Sequence, residues 1–474
     1  MDYKITGYEP EKLFHFFEEI SAIPRGSGNE KGISDYLVKF AKDRGLEVIQ
    51  DDAYNVVIKK AGSRGAEDHA PVMLQGHMDM VCEKRAGVEH DFEKDGLDLI
   101  IRDGRLTANG TTLGGDNGVA VALMLMVLDD DEIEHPPVEC VFTTEEEVGL
   151  NGAKALDKSV LKARTMINMD SEDEGVATVS CAGGLRVQFT KEIKRTTVQG
   201  SLLTLKVEGL LGGHADLLMA RMIQRLLKET KGQLVSFNGG TKDNAIPREC
   251  EASLIYESDE EAAKAEELAC ELAETYAEEL TPAEPDFSCE ISCETNRTAE
   301  AIPQDAAKEF ICAMRLAPNG IQKRNIKMDG FVVVSLNLGV VRTEEDRIVM
   351  IFSPRSSVAS LQEDTKERLN TLAETFGFTV SHSSEYPGWS FKEDSPVREI
   401  CKESYKELFG EDLKIEAIHA GLECGLFSDA IKGLDAIAIG PTIANCHTPD
   451  EYLTLDSFER FYEFLKDILS RLAK

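Results

Sequence analysis

The sequence lacks the features of membrane, secreted and nucleic-acid-binding proteins. No apolar run approaches the roughly 18 residues needed to span a bilayer. The opening residues MDYKIT have no basic region followed by an apolar stretch, so no secretory signal is expected. Only 52 Lys and Arg stand against 86 Asp and Glu, a net charge of −34. Nucleic acid and anionic membranes both require clustered basic residues, so neither partner is expected.

Paired cysteines and several nucleotide or nucleophile motifs are missing as well. The 11 cysteines are an odd number, and no CxxC pair occurs among them. A reduced, cytoplasmic protein is therefore the simplest expectation. No GxxxxGK[ST] motif is found and no GxGxxG follows a strand, which argues against a phosphate-binding loop. No GxSxG elbow supports a serine nucleophile.

The sequence does contain a series of histidine and carboxylate clusters, each where an apolar run ends. Histidine and carboxylate ligands without paired cysteines suit zinc, cobalt or manganese. A carboxylate between two such ions, together with a free carboxylate as base, would activate water for hydrolysis. The clusters are His77-Met78-Asp79, Gly114–Gly118 (GGDNG), Glu145–Gly149 (EEEVG), Asn168-Met169-Asp170 and Cys446–Glu451 (CHTPDE).

Taken singly, each cluster has a plainer explanation. Asp116, in a glycine-rich turn before an apolar helix, also suits a helix N-cap. The run Glu145–Glu147 also suits a solvated turn, and His447 an ordinary loop. Three adjacent carboxylates at a strand end repel one another, however, and a bound cation would relieve that repulsion. The combination over the whole chain favours the metal-dependent hydrolase.

The length and the pattern of apolar runs predict more than one domain. A chain of 474 residues is too long for one ordinary core. Doubly apolar strands alternate with helices over residues 1–184 and again over 386–474, which predicts an α/β fold. Residues 185–385 instead show a βαββαβ order, typical of a ferredoxin-like sheet, followed by a second α+β unit. Since candidate ligands lie on both flanks, we expect one discontinuous domain (1–184 and 386–474) with an α+β domain inserted.

These motifs resemble those of aminoacyl-histidine dipeptidases, which belong to the co-catalytic zinc peptidases together with carnosinases and carboxypeptidase G. The resemblance runs nearly end to end. Its most specific segments are Gln75–Met80 (QGHMDM), Thr111–Gly118 (TTLGGDNG), Asp243–Glu249 (DNAIPRE), Ile418–Phe427 (IHAGLECGLF), Ile439–Ile443 (IGPTI) and His447–Glu451 (HTPDE).

The resemblance implies a site with two Zn²⁺ ions, for which Co²⁺ or Mn²⁺ could substitute. It also implies a cis peptide bond between Asp116 and Asn117. Among the three glutamates, Glu146 and Glu147 fit the family pattern of an acidic pair before a small residue and Gly149. The implied roles are Asp116 as the bridging ligand, His77 and Asp170 at one ion, Glu147 and His447 at the other, Glu146 as general base, and Asp79 orienting His77.

The inserted domain resembles the lid of that family. His214 would polarise the scissile carbonyl, and Asn244 and Arg355 would bind the C-terminal side of the substrate. Gly421 and Glu423, in the Ile418–Phe427 segment, are further implied substrate-binding residues. The sequence departs from the family at one point, because the usual GGHSG reads GGHAD over residues 212–216.

The predicted function is a zinc-dependent dipeptidase that hydrolyses unblocked dipeptides of the Xaa-His type or a broader range. The alternatives are a tripeptidase, a carboxypeptidase or an N-deacylase on the same scaffold, or a non-catalytic metal-dependent binding protein. The expected partners are short peptide substrates. With two α+β units in the lid, either one chain covers its own active site or two chains pair as a homodimer.

Overall fold

The computed structural model describes residues 3–281, 283–326 and 330–474. The chain divides into two units, one made of Met1–Ala182 with Pro387–Lys474 and the other of Gly183–Tyr386. None of the helices in the described residues combines the length and the apolar character needed to cross a membrane.

The first segment of the discontinuous unit alternates strands with helices, as its buried apolar runs predict. Its strands, numbered in chain order, are β1 (Glu47–Gln50), β2 (Val56–Lys60), β3 (Val72–His77), β4 (Leu99–Arg102), β5 (Arg105–Ala108), β6 (Val138–Thr143), β7 (Thr165–Asn168) and β8 (Val176–Cys181). Its helices are α1 (Glu11–Ser21), α2 (Lys31–Asp43), α3 (Gly115–Asp129) and α4 (Asn151–Ala155), with a 3₁₀ turn at Lys158–Val160.

The inserted unit contains longer strands and four helices. Its strands are β9 (Gly183–Glu192), β10 (Thr196–Glu208), β11 (Gln233–Gly239), β12 (Cys250–Tyr256), β13 (Ser288–Ala301), β14 (Gly320–Arg324), β15 (Val332–Thr343), β16 (Arg347–Ser356) and β17 (Thr379–Tyr386). Its helices are α5 (Ala215–Glu229), α6 (Asp259–Leu280), α7 (Gln304–Leu316) and α8 (Ala359–Thr375).

The last segment returns to short strands and amphipathic helices. Its elements are α9 (Pro396–Phe409), β18 (Lys414–Ile418), α10 (Glu423–Ala430), β19 (Asp435–Ala438), β20 (Ile443–Ala444), β21 (Tyr452–Thr454) and α11 (Leu455–Leu472).

An eight-stranded sheet forms the centre of the discontinuous unit, in the order β1-β2-β6-β3-β7-β19-β8-β18. Strands β6, β3, β7 and β19 are neighbours and run parallel. Their carboxyl ends therefore lie along one edge, where ligands collect in open α/β sheets. Strand β19 comes from the last segment, so both flanks of the chain contribute to this sheet. The predicted α/β class is confirmed.

Helix α3 is buried on every side. All residues from Asn117 to Leu128 are buried, and the helix packs against both α1 and β3. Because no face meets water, its sequence is a continuous apolar run without helical periodicity. This helix carries Asp116 at its first turn.

A small antiparallel sheet in the order β20-β21-β5-β4 was not predicted from the sequence. It joins the two segments through pairs such as Leu453 with Leu106. Its strands are two to four residues long. Strands this short are below the length at which an alternating pattern can be recognised.

The inserted unit is one nine-stranded sheet. Four of its strands, β13-β10-β12-β11, have the order of the predicted ferredoxin-like unit, which is thereby confirmed. The second set, β15-β16-β9-β17, includes β9, which the sequence analysis missed. Strand β9 pairs with β16 and β17, far along the chain, so no local pattern reveals its partners. One hydrophobic core contains buried residues from both sets and from all four helices.

Candidate metal centre

The predicted ligands of the discontinuous unit lie at the ends of its parallel strands. His77 is the last residue of β3, and the glutamate run and Asp170 each begin two residues after the end of β6 and β7, respectively. Asp116 lies at the start of α3, after Gly114, whose φ of 63° is in the left-handed region. The Asp116–Asn117 peptide bond is cis, as the resemblance implied.

Asp116 lies between the two histidines. Its Oδ1 is 3.0 Å from Nε2 of His77, and its Oδ2 is 3.2 Å from Nε2 of His447. Nε2 of His77 is also 3.5 Å from Oδ1 of Asp170. Nε2 of His447 is also 3.1 Å from Oε1 of Glu147. Two sets of three residues that could hold a metal ion thus share Asp116, and within each set the donor atoms lie within 4.8 Å of one another.

Asp79 contacts the other ring nitrogen of His77. It is fully buried, and its Oδ1 lies 3.3 Å from Nδ1 of His77. The same carboxylate accepts hydrogen bonds from the hydroxyl of Ser27 at 2.8 Å and from the backbone N–H groups of Glu146 and Glu147 at 3.1 and 3.3 Å. A carboxylate in this position fixes the tautomer of a ligating histidine. It also connects the end of β3 to the glutamate run.

The pKa values of several side chains in the site are raised. Burial lowers the pKa of His77, but the carboxylates of Asp170, Asp116 and Asp79 outweigh burial and raise that pKa well above its usual value. Hydrogen bonds to Asp116 and Glu147 raise the pKa of His447 to about 10. Burial raises the pKa of Glu146 to about 9. Carboxylates raise the pKa of both histidines, and a bound divalent cation would compensate the same negative charge.

Glu423 lies close to this group, in the first turn of α10. It is fully buried, and its Oε2 accepts hydrogen bonds from the hydroxyl of Thr143 at 2.7 Å and from the amide of Gln75. Burial raises the pKa of Glu423 to about 7. Within the described residues its Oε1 is buried without a hydrogen-bond partner. Gly421, two residues earlier, is half-buried.

Two neighbours of the site were not among the ligands predicted from the sequence. Cys446 and Glu172 form a further group with Asp116, again with ligand atoms within 4.8 Å of one another. Cys446 directly precedes His447, and Glu172 follows Asp170 by two residues. Neither residue belongs to a strand or helix, so no strand or helix pattern marks its position. The one signal in the sequence is that each lies close to a proposed ligand.

The remaining predicted residues belong to the inserted unit. His214 precedes α5 with a φ of 52°, and its Nδ1 is 3.8 Å from Oδ1 of Asp216. Arg355 lies on β16, half-buried. Asn244 is exposed in the loop between β11 and β12. The side-chain amide of Asn337 holds this loop by donating to the carbonyls of Asp243 and Ala245 at 2.8 and 2.9 Å.

Known proteins match the chain over nearly its whole length. The model of the family described as "Peptidase family M20/M25/M40" matches residues 73–471. The cytosol non-specific dipeptidase of Escherichia coli (strain K12) is 34% identical, with 99% of each chain covered. The crystal structure of aminoacylhistidine dipeptidase from Vibrio alginolyticus superposes with a TM-score of 0.92 at 34% identity, over 99% of this chain and 98% of that one. Aminopeptidase PepT from Bacillus cereus ATCC 10987, at 18% identity and a TM-score of 0.62, covers 98% of this chain and 100% of its own and shares the fold alone.

Proposed function

The chain belongs to peptidase family M20/M25/M40, and on that premise we propose that it is a metal-dependent dipeptidase acting on unblocked dipeptides. The observation that carries the proposal is Asp116, whose two carboxylate oxygens each face one histidine. A carboxylate in this position can be shared by two divalent ions. Glu146, half-buried beside them, would supply a base.

We propose that the ions are two Zn²⁺, with Co²⁺ or Mn²⁺ as substitutes. His77, Asp116 and Asp170 would hold one ion, and Asp116, Glu147 and His447 the other. The donor set fits, because imidazole and carboxylate are ligands that these ions share. The three carboxylates of this set, converging at a partly buried site, also need positive charge among them. When bound, the ions would polarise the scissile carbonyl and lower the pKa of water.

Glu146 would act as the base and then as the acid. Its carboxylate takes a proton from water and returns it to the leaving amine. Without a cation, burial raises the pKa of Glu146 to about 9, so the group would carry a proton at neutral pH. A nearby cation favours the ionised form. Base function therefore depends on the same ligands that surround Asp116.

Both ends of an unblocked dipeptide would find charged partners. The buried Oε1 of Glu423 suits the N-terminal ammonium, since a buried carboxylate oxygen is costly without a donor. The guanidinium of Arg355 would bind the C-terminal carboxylate by two parallel hydrogen bonds. Asn244 and Gly421 would add contacts to the substrate, and His214 would donate to the developing oxyanion. Recognition of both termini would restrict the substrate to short peptides.

The first test is hydrolysis of a peptide panel by chelator-treated protein, with and without added zinc, cobalt or manganese. The panel contains Gly-His, β-Ala-His, Leu-Gly, the tripeptide Leu-Gly-Gly and an N-acetylated amino acid. Metal-restored cleavage of the free-amino dipeptides supports the proposal and ranks its substrates. Exclusive cleavage of the tripeptide or of the acetylated compound would contradict it in favour of a tripeptidase or an N-deacylase. Bound metal without any cleavage would favour a binding protein.

We also propose that the enzyme works in the cytoplasm. The relative from Escherichia coli is named a cytosol dipeptidase. All 11 cysteines of this chain are free thiols, which suits a reducing compartment.

A further inference from the structure

One carboxylate outside the ligand set holds the loop that carries Asp116. Glu451 is 2% exposed and faces four successive backbone N–H groups. Its Oε2 accepts from Leu113 at 2.8 Å and Gly114 at 3.0 Å, and its Oε1 accepts from Gly115 at 2.8 Å and Asp116 at 3.3 Å. A single side chain thus accepts the backbone N–H groups of all four residues from Leu113 to Asp116.

A buried arginine holds the carbonyl groups around the same loop. Arg25 is 1% exposed and donates from Nη1 to the carbonyls of Met78 and Asp79 at 3.1 and 3.3 Å. Its Nη2 donates to the carbonyl of Gly114. Arg25 therefore fixes the loop after His77 to the loop before Asp116. Burial lowers the pKa of Arg25, and the carboxylate of Glu451 opposes that shift.

The backbone at Gly114 and Gly115 lies close to these two side chains, so a side chain at either position would be crowded. A β-carbon on Gly114 would lie 2.5 Å from Nη2 of Arg25. A β-carbon on Gly115 would lie 3.3 Å from Oε1 of Glu451 and 3.2 Å from Ile443. The two glycines thus allow the backbone to approach both charges closely, which explains their place before Asp116.

We propose that Glu451 is a positioning residue that sets the location of Asp116 relative to His447 and thereby the metal affinity of the site. Glu451 lies four residues after His447 in the same loop, so its four hydrogen bonds tie one ligand's loop to another's. This inference rests on the proposed function, in which Asp116 and His447 are metal ligands. Groups that orient ligands typically change metal affinity by about 10–100-fold when they are replaced.

The test compares Glu451→Gln with the wild type and with Asp450→Asn. In the glutamine variant one oxygen becomes an NH₂ donor, so in either orientation two backbone N–H groups face a donor. Asp450 is the exposed neighbour, paired with Arg85 at the surface, and its replacement leaves the loop contacts of Glu451 in place. Zinc affinity is measured by competition with a chromophoric chelator. Amide hydrogen exchange of residues 113–116 is followed in the metal-free proteins.

We expect Glu451→Gln to weaken zinc binding by about 10–100-fold, with faster exchange of the 113–116 amides. At saturating zinc its KM should remain within about twofold of the wild-type value, because no substrate contact has changed. Asp450→Asn should match the wild type in each measurement. Wild-type zinc affinity in Glu451→Gln, or unprotected 113–116 amides in the wild type, would overturn the proposal.

Two further measurements distinguish a failure of the positioning role from a folding defect in the variant and from a failure of the proposed function. If Glu451→Gln does not fold, Glu451→Asp keeps the charge opposite Arg25 but is one methylene shorter, and the same loss of zinc affinity is expected. Unchanged zinc affinity in that folded variant would overturn the inference. If the wild type binds no divalent ion, or Asp116→Ala binds as the wild type does, the proposed metal centre itself fails. If that centre stands and Glu451→Gln binds normally, the positioning role alone fails.

Discussion

The three adjacent glutamates have different surroundings in the structure. Glu145 is partly exposed, and its Oε2 accepts a hydrogen bond from Asn151 at 2.9 Å. Oε1 of Glu147 lies 3.1 Å from His447. Glu146 groups with His77 and Glu147. These partners fit the proposed roles of Glu147 as a ligand and Glu146 as the base, which the sequence alone could assign only by resemblance.

Replacing Glu146 should abolish turnover without emptying the metal site. We expect Glu146→Gln to lower kcat by about 10²–10⁴-fold, because the glutamine cannot accept a proton from water. Metal content, measured by atomic emission, should stay at the wild-type value. The control is Glu145→Gln, which changes the neighbouring residue and should retain activity. If Glu145→Gln lost activity instead, the assignment of the base would be wrong by one residue.

Replacing Glu423 should slow the hydrolysis of dipeptides that carry a free N-terminal amine. Hydrogen bonds to charged groups contribute about 1.5–3 kcal/mol, so we expect Glu423→Gln to lower kcat/KM for free-amino dipeptides by about 10–100-fold. The control is Glu416→Gln on β18, where the glutamate pairs with Lys414 near the surface. Steady-state kinetics on Gly-His and Leu-Gly would measure the difference. Equal kcat/KM for Glu423→Gln and the wild type would exclude Glu423 as the ammonium partner.

At the residue scale, the sequence predicted the positions of proposed ligands best where those residues follow apolar strands. His77 and Asp170 end or follow buried strands that a single sequence shows clearly. Glu172 and Cys446 escaped prediction because their closeness to Asp116 results from folding between distant segments. The role of Glu451 escaped for the same reason, since its hydrogen-bond partners lie more than 330 residues earlier in the chain.

At the scale of single elements, the first turn of α5 contains a buried acid. Asp216 is fully buried, and its Oδ1 accepts from the backbone N–H of Leu217 at 2.9 Å. Its Oδ2 is buried without a hydrogen-bond partner within the described residues. Burial raises the pKa of Asp216 from 3.8 to about 7. The family pattern has glycine at this position, so the carboxyl is a feature of this chain.

This acid should make the stability of the inserted unit depend on pH. Because the folded state binds the proton more tightly than the unfolded state, stability is full below about pH 4 and falls as pH rises towards about 7. Between about pH 5 and pH 8.5 we expect the wild type to lose on the order of 3 kcal/mol more than Asp216→Asn does. Urea unfolding at both pH values measures this difference.

The matched control for this prediction is Asp305→Asn, which removes an exposed acid from the first turn of α7. The stability of the Asp305→Asn variant should change with pH as that of the wild type does. If Asp216→Asn and Asp305→Asn gave the same pH dependence, the ionisation of Asp216 would not be coupled to folding.

Prediction of elements from sequence was limited by strand length and by the distance between partners. Helix α1 shows clear apolar periodicity and α6 begins after the capping residue Ser258, and a single sequence reveals both signals. The strands β4, β5, β20 and β21 are too short for a pattern. Strand β13 continues to Ala301, and its second half is mostly exposed, so the alternation typical of a strand cannot be seen there.

At the scale of the whole molecule, metal removal should affect the two units differently. All five proposed ligands belong to the discontinuous unit. A ligand at about 1,000 times its Kd stabilises a protein by about 4 kcal/mol, which corresponds to roughly 5–10 °C in Tm for a unit of this size. We expect calorimetry to show one transition that moves down by this amount after chelation and returns with zinc. The transition of Gly183–Tyr386 should stay in place.

A uniform shift of both transitions, or no shift at all, would contradict this assignment of the ligands. The His447→Ala variant provides the control, since it removes a ligand that comes from the last segment. Chelation should shift its first transition by less than it shifts that of the wild type.

The position of β19 has a consequence for synthesis of the chain on the ribosome. This strand lies between β7 and β8, yet it follows them by more than 250 residues. While the polypeptide grows, the central sheet lacks an inner strand, whereas the inserted unit already has all its strands and can fold first. His447 emerges later still. A nascent chain therefore cannot hydrolyse peptides until translation is nearly finished, and premature termination would yield an inactive product.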